Sequence, residues 1–174
     1  MKYFKLRILQ ITLLGMIACN PQPEADSLLT QAQEIIEIYP DSAIHLIDSI
    51  FYPEKSLSHK RYMEFLVTQV QAKYKIYLPV AVDTLIFEAK TYFEKKNKNP
   101  DQTALAYFYS GCVYREQQHF DQAMQHYKKA EQLTSQTGNI NLMGYKLDTK
   151  LKSEQSKVKI SSMFSFIGEI IKNT

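Results

Sequence analysis

Residues 104–134 read ALAYFYSGCVYREQQHFDQAMQHYKKAEQLT, and their spacing predicts two helices joined by a tight turn. On the first helix Tyr107, Gly111 and Tyr114 stand at i, i+4 and i+7, one stripe of a helical period. Phe120 falls at the turn, and Ala123, Tyr127 and Ala130 repeat the same spacing on the second helix. The pattern has a packing logic. Small residues at Gly111 and Ala123 let two helices cross closely, while the aromatic rings fill the space above and below. Asp101 and Asp121 are the expected N-caps of the two helices.

Working outward, the chain from Asp26 onward continues to read as helices in pairs. Glycine is absent between Gly15 and Gly111, and apolar residues recur at three- and four-residue steps. A first helix is expected over Ser27–Ile38, burying Leu28, Ala32, Ile35 and Ile36, and stopped by Tyr39-Pro40. Asp41 or Ser42 would cap a second, with Ala43, Ile47 and Ile50 on one face and Pro53 at its end. A third starts near Ser58 and shows Tyr62, Phe65, Leu66 and Val70. After Pro79 a fourth opens at Asp83 or Thr84 and carries Leu85, Ala89, Tyr92 and Phe93. The polar run from Lys95 to Pro100 is the clearest loop of the body. Six helices with short links and no strand-like alternation predict an all-α protein.

The stretch 104–134 resembles the tetratricopeptide repeat, a helical hairpin of about 34 residues. Upstream the resemblance weakens. The region 58–96 forms a second hairpin with a longer connection, Tyr74 to Val82, and Ala43, Ile47 and Ile50 match the second-helix pattern of a first, shorter one. The resemblance implies stacked antiparallel helical hairpins over residues 26–137, a tetratricopeptide-like α-solenoid of about three hairpins. In that fold the first helix of each hairpin lines a concave groove. Phe108, Cys112 and Arg115 would then turn toward the groove, an apolar contact with a cation at its edge. The Lys and Asn residues with which some repeats clamp a carboxylate are missing from this face.

The N-terminus carries a different message. Lys2, Lys5 and Arg7 precede an apolar run from Ile8 to Ala18, too short to span the roughly 30 Å bilayer core. The run ends Gly15-Met16-Ile17-Ala18-Cys19, which resembles the lipobox of bacterial lipoprotein signal peptides. The resemblance implies a signal peptide over 1–18, lipidation of Cys19 and a tether over 19–25. Together with the repeats it is similar to a group of bacterial lipoproteins with tetratricopeptide repeats. Expected of such a chain is a non-catalytic protein-binding module, held by lipid at the bacterial cell envelope, at the outer membrane. Its periplasmic or surface side stays open. A protein partner of unknown identity, the membrane at Cys19, and neither nucleic acid, small-molecule substrate nor cofactor are expected.

Composition sets the outer bounds. The chain has 174 residues, 45% hydrophobic and 22% charged, with five Gly and six Pro, which excludes collagen-like and wholly disordered classes. Cleavage before Cys19 would remove three of the 21 basic residues and leave 18 against 18 acids, so the +3 formal charge belongs to the signal. With Cys19 lipidated, Cys112 has no intramolecular disulfide partner. His119 and His126 follow it at intervals unlike the tight spacing of structural zinc sites, so a buried inert thiol is expected and no metal. His126 reads as lying on a solvated flank. There is no phosphate loop, HExxH pair, G-x-S-x-G elbow or paired CxxC, so no catalytic residue is expected.

Beyond Gly138 the pattern changes. Residues 138–159 read as a polar, Lys-rich linker. Residues 160–174 place Ile160, Met163, Phe164, Ile167, Ile170 and Ile171 on one face of a C-terminal amphipathic helix. That helix either caps the exposed end of the last hairpin or lies on a membrane. The second alternative makes the protein a structural spacer whose C-terminal helix contacts the bilayer.

Overall fold

The computed structural model describes residues 23–96 and 99–137. The expected signal segment, Cys19, the 138–159 linker and the 160–174 helix lie outside the described residues. Within them every regular element is helical: α1 (Pro23–Ile35), α2 (Pro40–Asp48), α3 (Pro53–Ser56), α4 (His59–Lys75), α5 (Ile86–Lys96), α6 (Pro100–Glu116) and α7 (Phe120–Thr137). The described part of the protein is all-α.

Local chemistry sets the helix ends, in places differently from the sequence reading. α1 starts at Pro23, so residues 23–25 of the expected tether are already its first turn. Glu24 and Asp26 sit there, where the helix dipole favours acids. It ends at Ile35, and Ile38 is exposed. Leu29, rather than Leu28, is its fully buried leucine. Pro40 occupies the first helical position of α2, with Tyr39 as an N-cap that makes no side-chain bond; Asp41 and Ser42 are inside the helix. Ser58 caps α4 by accepting the Arg61 N–H at 3.4 Å. Asn99 caps α6 by accepting from the Gln102 N–H at 3.2 Å, so Asp101 is a first-turn acid and not the cap. α7 begins at Phe120, which likewise moves Asp121 into the first turn. α5 begins at Ile86, whose side chain is buried while Leu85 is exposed, one step out of phase with the expectation. The single turn α3 was absent from the sequence reading. Ser56 tightens it by donating its hydroxyl to the Phe51 carbonyl at 2.7 Å.

Side-chain pairs give the helix directions. Asp26–Arg61, Gln33–Thr68 and Glu37–Lys75 step along α1 and α4 together, so these two run parallel. His59 meets Tyr92 while Lys73 meets Asp83, so α5 runs antiparallel to α4. Phe87 meets Tyr114 while Glu94 meets Tyr107, so α6 is antiparallel to α5 and parallel to α4. Contacts are confined to near neighbours. α1 touches α2, α3 and α4, α2 and α3 touch α4, α4 touches α5 and α6, and α5 touches α6. The most extensive packing joins α6 to α7, and α7 touches α6 alone among the described helices. One continuous apolar core runs through the row, from Leu29 and Ile47 through Met63, Val70 and Ile86 to Phe108, Val113 and Tyr127.

Candidate protein-binding cleft

The α6/α7 pair puts the 104–134 pattern into contact. Tyr107, Gly111, Phe120, Ala123, Tyr127 and Ala130 are all buried, and Tyr114 is half-buried against the Phe87 ring at 4.4 Å. Gly111 faces the Tyr127 ring so closely that an added Cβ would lie 2.6 Å from Cε1 and 2.7 Å from Cδ1. Glycine suits this crossing because a side chain here would force the ring or the helices to shift. Tyr107 donates its hydroxyl to Glu94, and Lys90 lies over its ring at 5.4 Å. Burial, reinforced by Glu94, pushes the Tyr107 phenol up. The same hydrogen bond holds the Glu94 carboxyl below its ordinary value, with Lys90 helping. His126, expected on a solvated flank, instead packs between the Tyr107 and Tyr114 rings at 5.3 and 4.9 Å. Burial lowers its pKa.

The expected groove trio Phe108, Cys112 and Arg115 does not stay together. Phe108 is 2% exposed, with its ring 5.0 Å from Tyr109 and 5.8 Å from Tyr127. Cys112 is 0% exposed. Neither meets a groove. The reason lies in α6 itself, which is packed by α4, α5 and α7 and is buried at nearly every position from Thr103 to Val113. Burial also pushes the Tyr127 phenol up, with the neighbouring Cys112 thiol adding to it.

Arg115 alone of the three reaches an open surface. It lines a cleft of about 390 Å³ with Tyr74, Tyr77, Leu78, Pro79 and Glu116. Its guanidinium donates to the Tyr74 hydroxyl at 3.1 Å and lies over the Tyr74 ring at 5.6 Å. No carboxylate of the described residues pairs with it. The cleft wall is the long α4–α5 connection, strapped onto the end of α6. The Glu116 carboxylate accepts from the Val80 N–H at 2.6 Å, and the Gln117 amide donates to the Ala81 carbonyl at 2.6 Å.

Tyr77 is the residue of this cleft that the sequence reading missed. It closes α4 in the left-handed region, φ 61, where glycine is the cheap residue. The chain is held there because the Tyr77 N–H bonds the Tyr74 carbonyl at 3.2 Å and the Leu78 N–H bonds the Lys73 carbonyl at 2.9 Å. The ring gains no packing in return, since Tyr77 is 94% exposed. Gln118 closes α6 in the same way, φ 64, through Gln118 to Arg115 at 3.0 Å and His119 to Tyr114 at 2.8 Å. Pro79, two residues past Tyr77, is the sequence signal that marks such a helix end.

Between α1 and α4 polar side chains meet. Arg61 donates to the Asp26 carboxylate and the Glu64 carboxylate, each at 2.5 Å, to the Asp26 carbonyl at 3.0 Å, to Thr30 at 2.6 Å and to Gln33 at 3.3 Å. Burial opposes the Arg61 charge, but the bonds to Asp26 and Glu64 raise its pKa. Further along, Glu37 accepts from Gln71 at 2.8 Å and from Lys75 at 2.9 Å. The polar groups are tied to one another across 28 to 38 residues of sequence.

The chain matches no protein-family model, no curated protein and no solved structure. Among the described residues no cluster of His, Cys, Asp and Glu is able to hold a metal ion, and no helix is long and apolar enough to cross a membrane.

Proposed function

We propose that this protein is a non-catalytic interaction module of tetratricopeptide type, tethered by lipid on Cys19 to the bacterial envelope, at the outer membrane, and that it holds a partner protein in the Arg115 cleft. The observation that carries the reading is the helix arrangement. α1, α4 and α6 run parallel, and α5 runs antiparallel to α4. The start of α1 borders the end of α2, and Tyr107 meets His126 while Tyr114 meets His119, so α2 is antiparallel to α1 and α7 to α6. Contacts reach only the adjacent pair. Repeat solenoids are built on this nearest-neighbour logic, and they bind along the face made by their first helices. The cleft lies between two such helices, with Tyr74 from α4 and Arg115 from α6. An arginine without an acidic mate, beside an exposed tyrosine, suits a peptide carrying a carboxylate next to an apolar residue.

The test is crosslinking in cells followed by capture of tagged protein. A reproducible partner is expected with the native chain, lost with Arg115→Glu at unchanged helicity and melting temperature, and lost or mislocalised with Cys19→Ala. Equal capture by native and Arg115→Glu chains would refute the cleft.

A further inference from the structure

Exposed large apolar side chains sit at both ends of the helices, and one of those ends has a specific relation to the tether. Phe51 and Tyr52 are 75% and 70% exposed. They stand on the link between α2 and α3, where Tyr52 is held in the left-handed region, φ 50, a conformation tyrosine adopts only at a cost. Phe51 borders a small cleft with Glu24, Ala25 and Leu28, so the aromatic pair lies beside the start of α1. Four covalent steps separate Cys19 from Pro23, and fully extended they reach at most about 14 Å. Lipid on Cys19 would therefore hold the start of α1, and with it the aromatic pair, close to the bilayer.

That end also carries lysines. Lys55 and Lys60 flank the start of α4, and the His59–Tyr92 contact brings the end of α5, with Lys95 and Lys96, to the same side. All four lysines are exposed, and Lys55 lies over the Tyr52 ring at 5.4 Å. The acids of the same end are Glu24, Asp26, Asp48, Glu54, Glu94 and Asp101. Asp26 is bonded to Arg61, Glu94 to Tyr107 and Lys90, and Lys60 pairs with Glu64 at 3.5 Å, so the end carries both signs of charge. Exposed aromatic rings with a lysine beside them are the pattern of an interfacial contact.

We infer that the end bearing Phe51 and Tyr52, with Lys55 beside the Tyr52 ring, is a bilayer-contact surface, which fixes the orientation of the helices on the anchor. The inference rests on the lipid anchor at Cys19. It converts a flexible tether into a defined stance, with Tyr77 and the Arg115 cleft at the opposite end of α4, about 25 Å away along its axis.

The protein has no tryptophan, so a single introduced indole reports its own surroundings. Acylated full-length mature protein carrying Phe51→Trp, Tyr52→Trp or Tyr77→Trp is bound to vesicles of phosphatidylethanolamine and phosphatidylglycerol, with and without bromine on the acyl chains. Emission from Phe51→Trp and Tyr52→Trp is expected to shift blue and to fall at least about twofold with brominated lipid, because interfacial rings lie near the acyl chains, while Tyr77→Trp stays unchanged. Acylated, vesicle-bound protein whose Phe51→Trp and Tyr52→Trp emission ignores bromine overturns the inference and leaves the anchor standing. A blue-shifted but unquenched signal also overturns it, since protein then covers the pair. A mature chain that bears no acyl mass and stays off the vesicles overturns both the inference and the anchor.

Discussion

Gly111→Ala opposes two effects of known size. Alanine in a helix interior is favoured over glycine by about 1 kcal/mol. Against this, the new methyl group would lie 2.6 and 2.7 Å from two carbons of the Tyr127 ring, where ordinary contact begins near 3.4 Å. The ring is completely buried, so the helices must part or the ring must leave its rotamer. Overpacking of this kind costs about 1–3 kcal/mol, and contacts this short belong to the upper half of that range. The net expectation is a loss of about 1–2 kcal/mol, a fall in melting temperature of about 4–8 °C for a domain of this size. Urea unfolding followed by far-ultraviolet circular dichroism measures it. The same change in a Tyr127→Leu background, where the ring is gone, should become neutral or stabilising, so the double-mutant cycle yields a coupling of about 2 kcal/mol. A more stable Gly111→Ala single variant would refute the close crossing of α6 and α7.

Three other outcomes follow from the described geometry. Tyr77→Gly removes the left-handed strain and should raise stability by about 1 kcal/mol, while capture of the partner falls; a destabilised variant would mean that the ring packs. Arg61→Met leaves Glu64, whose side chain is 7% exposed, with only Lys60 at 3.5 Å. About 2–3 kcal/mol should be lost in urea unfolding, and a loss below about 0.5 would show that Arg61 is a passive surface residue. His126 is a base whose folded pKa lies below its ordinary 6.5, through burial first and Lys90 second, with the Gln122 carbonyl and Glu94 opposing. The unfolded chain thus takes up a proton first, so stability is intact above about pH 6.5 and declines as the pH falls toward the lower folded value. Melting temperatures between about pH 7.5 and 5 should slope less in His126→Gln, and an equal slope would sink the assignment.

The helices themselves were legible because burial on one side leaves a three- and four-residue rhythm, and the all-α class followed from it. The residues of the α6/α7 contact were legible because small and aromatic residues recur at helical spacing on both helices. That spacing sets Gly111 with Ala123 at the crossing, whereas Gly111 faces the Tyr127 ring. Rhythm does not fix rotational phase at helix ends, which is why Leu28 stood for Leu29 and Leu85 for Ile86. Nor does it count neighbours. Phe108 and Cys112 read as a free stripe, yet a helix with companions on three sides has none to spare. The Arg61 network left no local trace, because its partners from α1 lie 28 to 35 residues away. Tyr77 was hidden by its identity, since a left-handed helix end announces itself in sequence through glycine.

Contacts that stop at the adjacent pair also bear on how such a chain changes length over evolutionary time. A helix pair copied into the row would meet only surfaces that it, or its twin, already fits, and nothing distant would have to adjust. Loss of a terminal pair would likewise uncover one face and leave the others intact. A protein built this way has no keystone, and its reach is set by how many pairs it keeps.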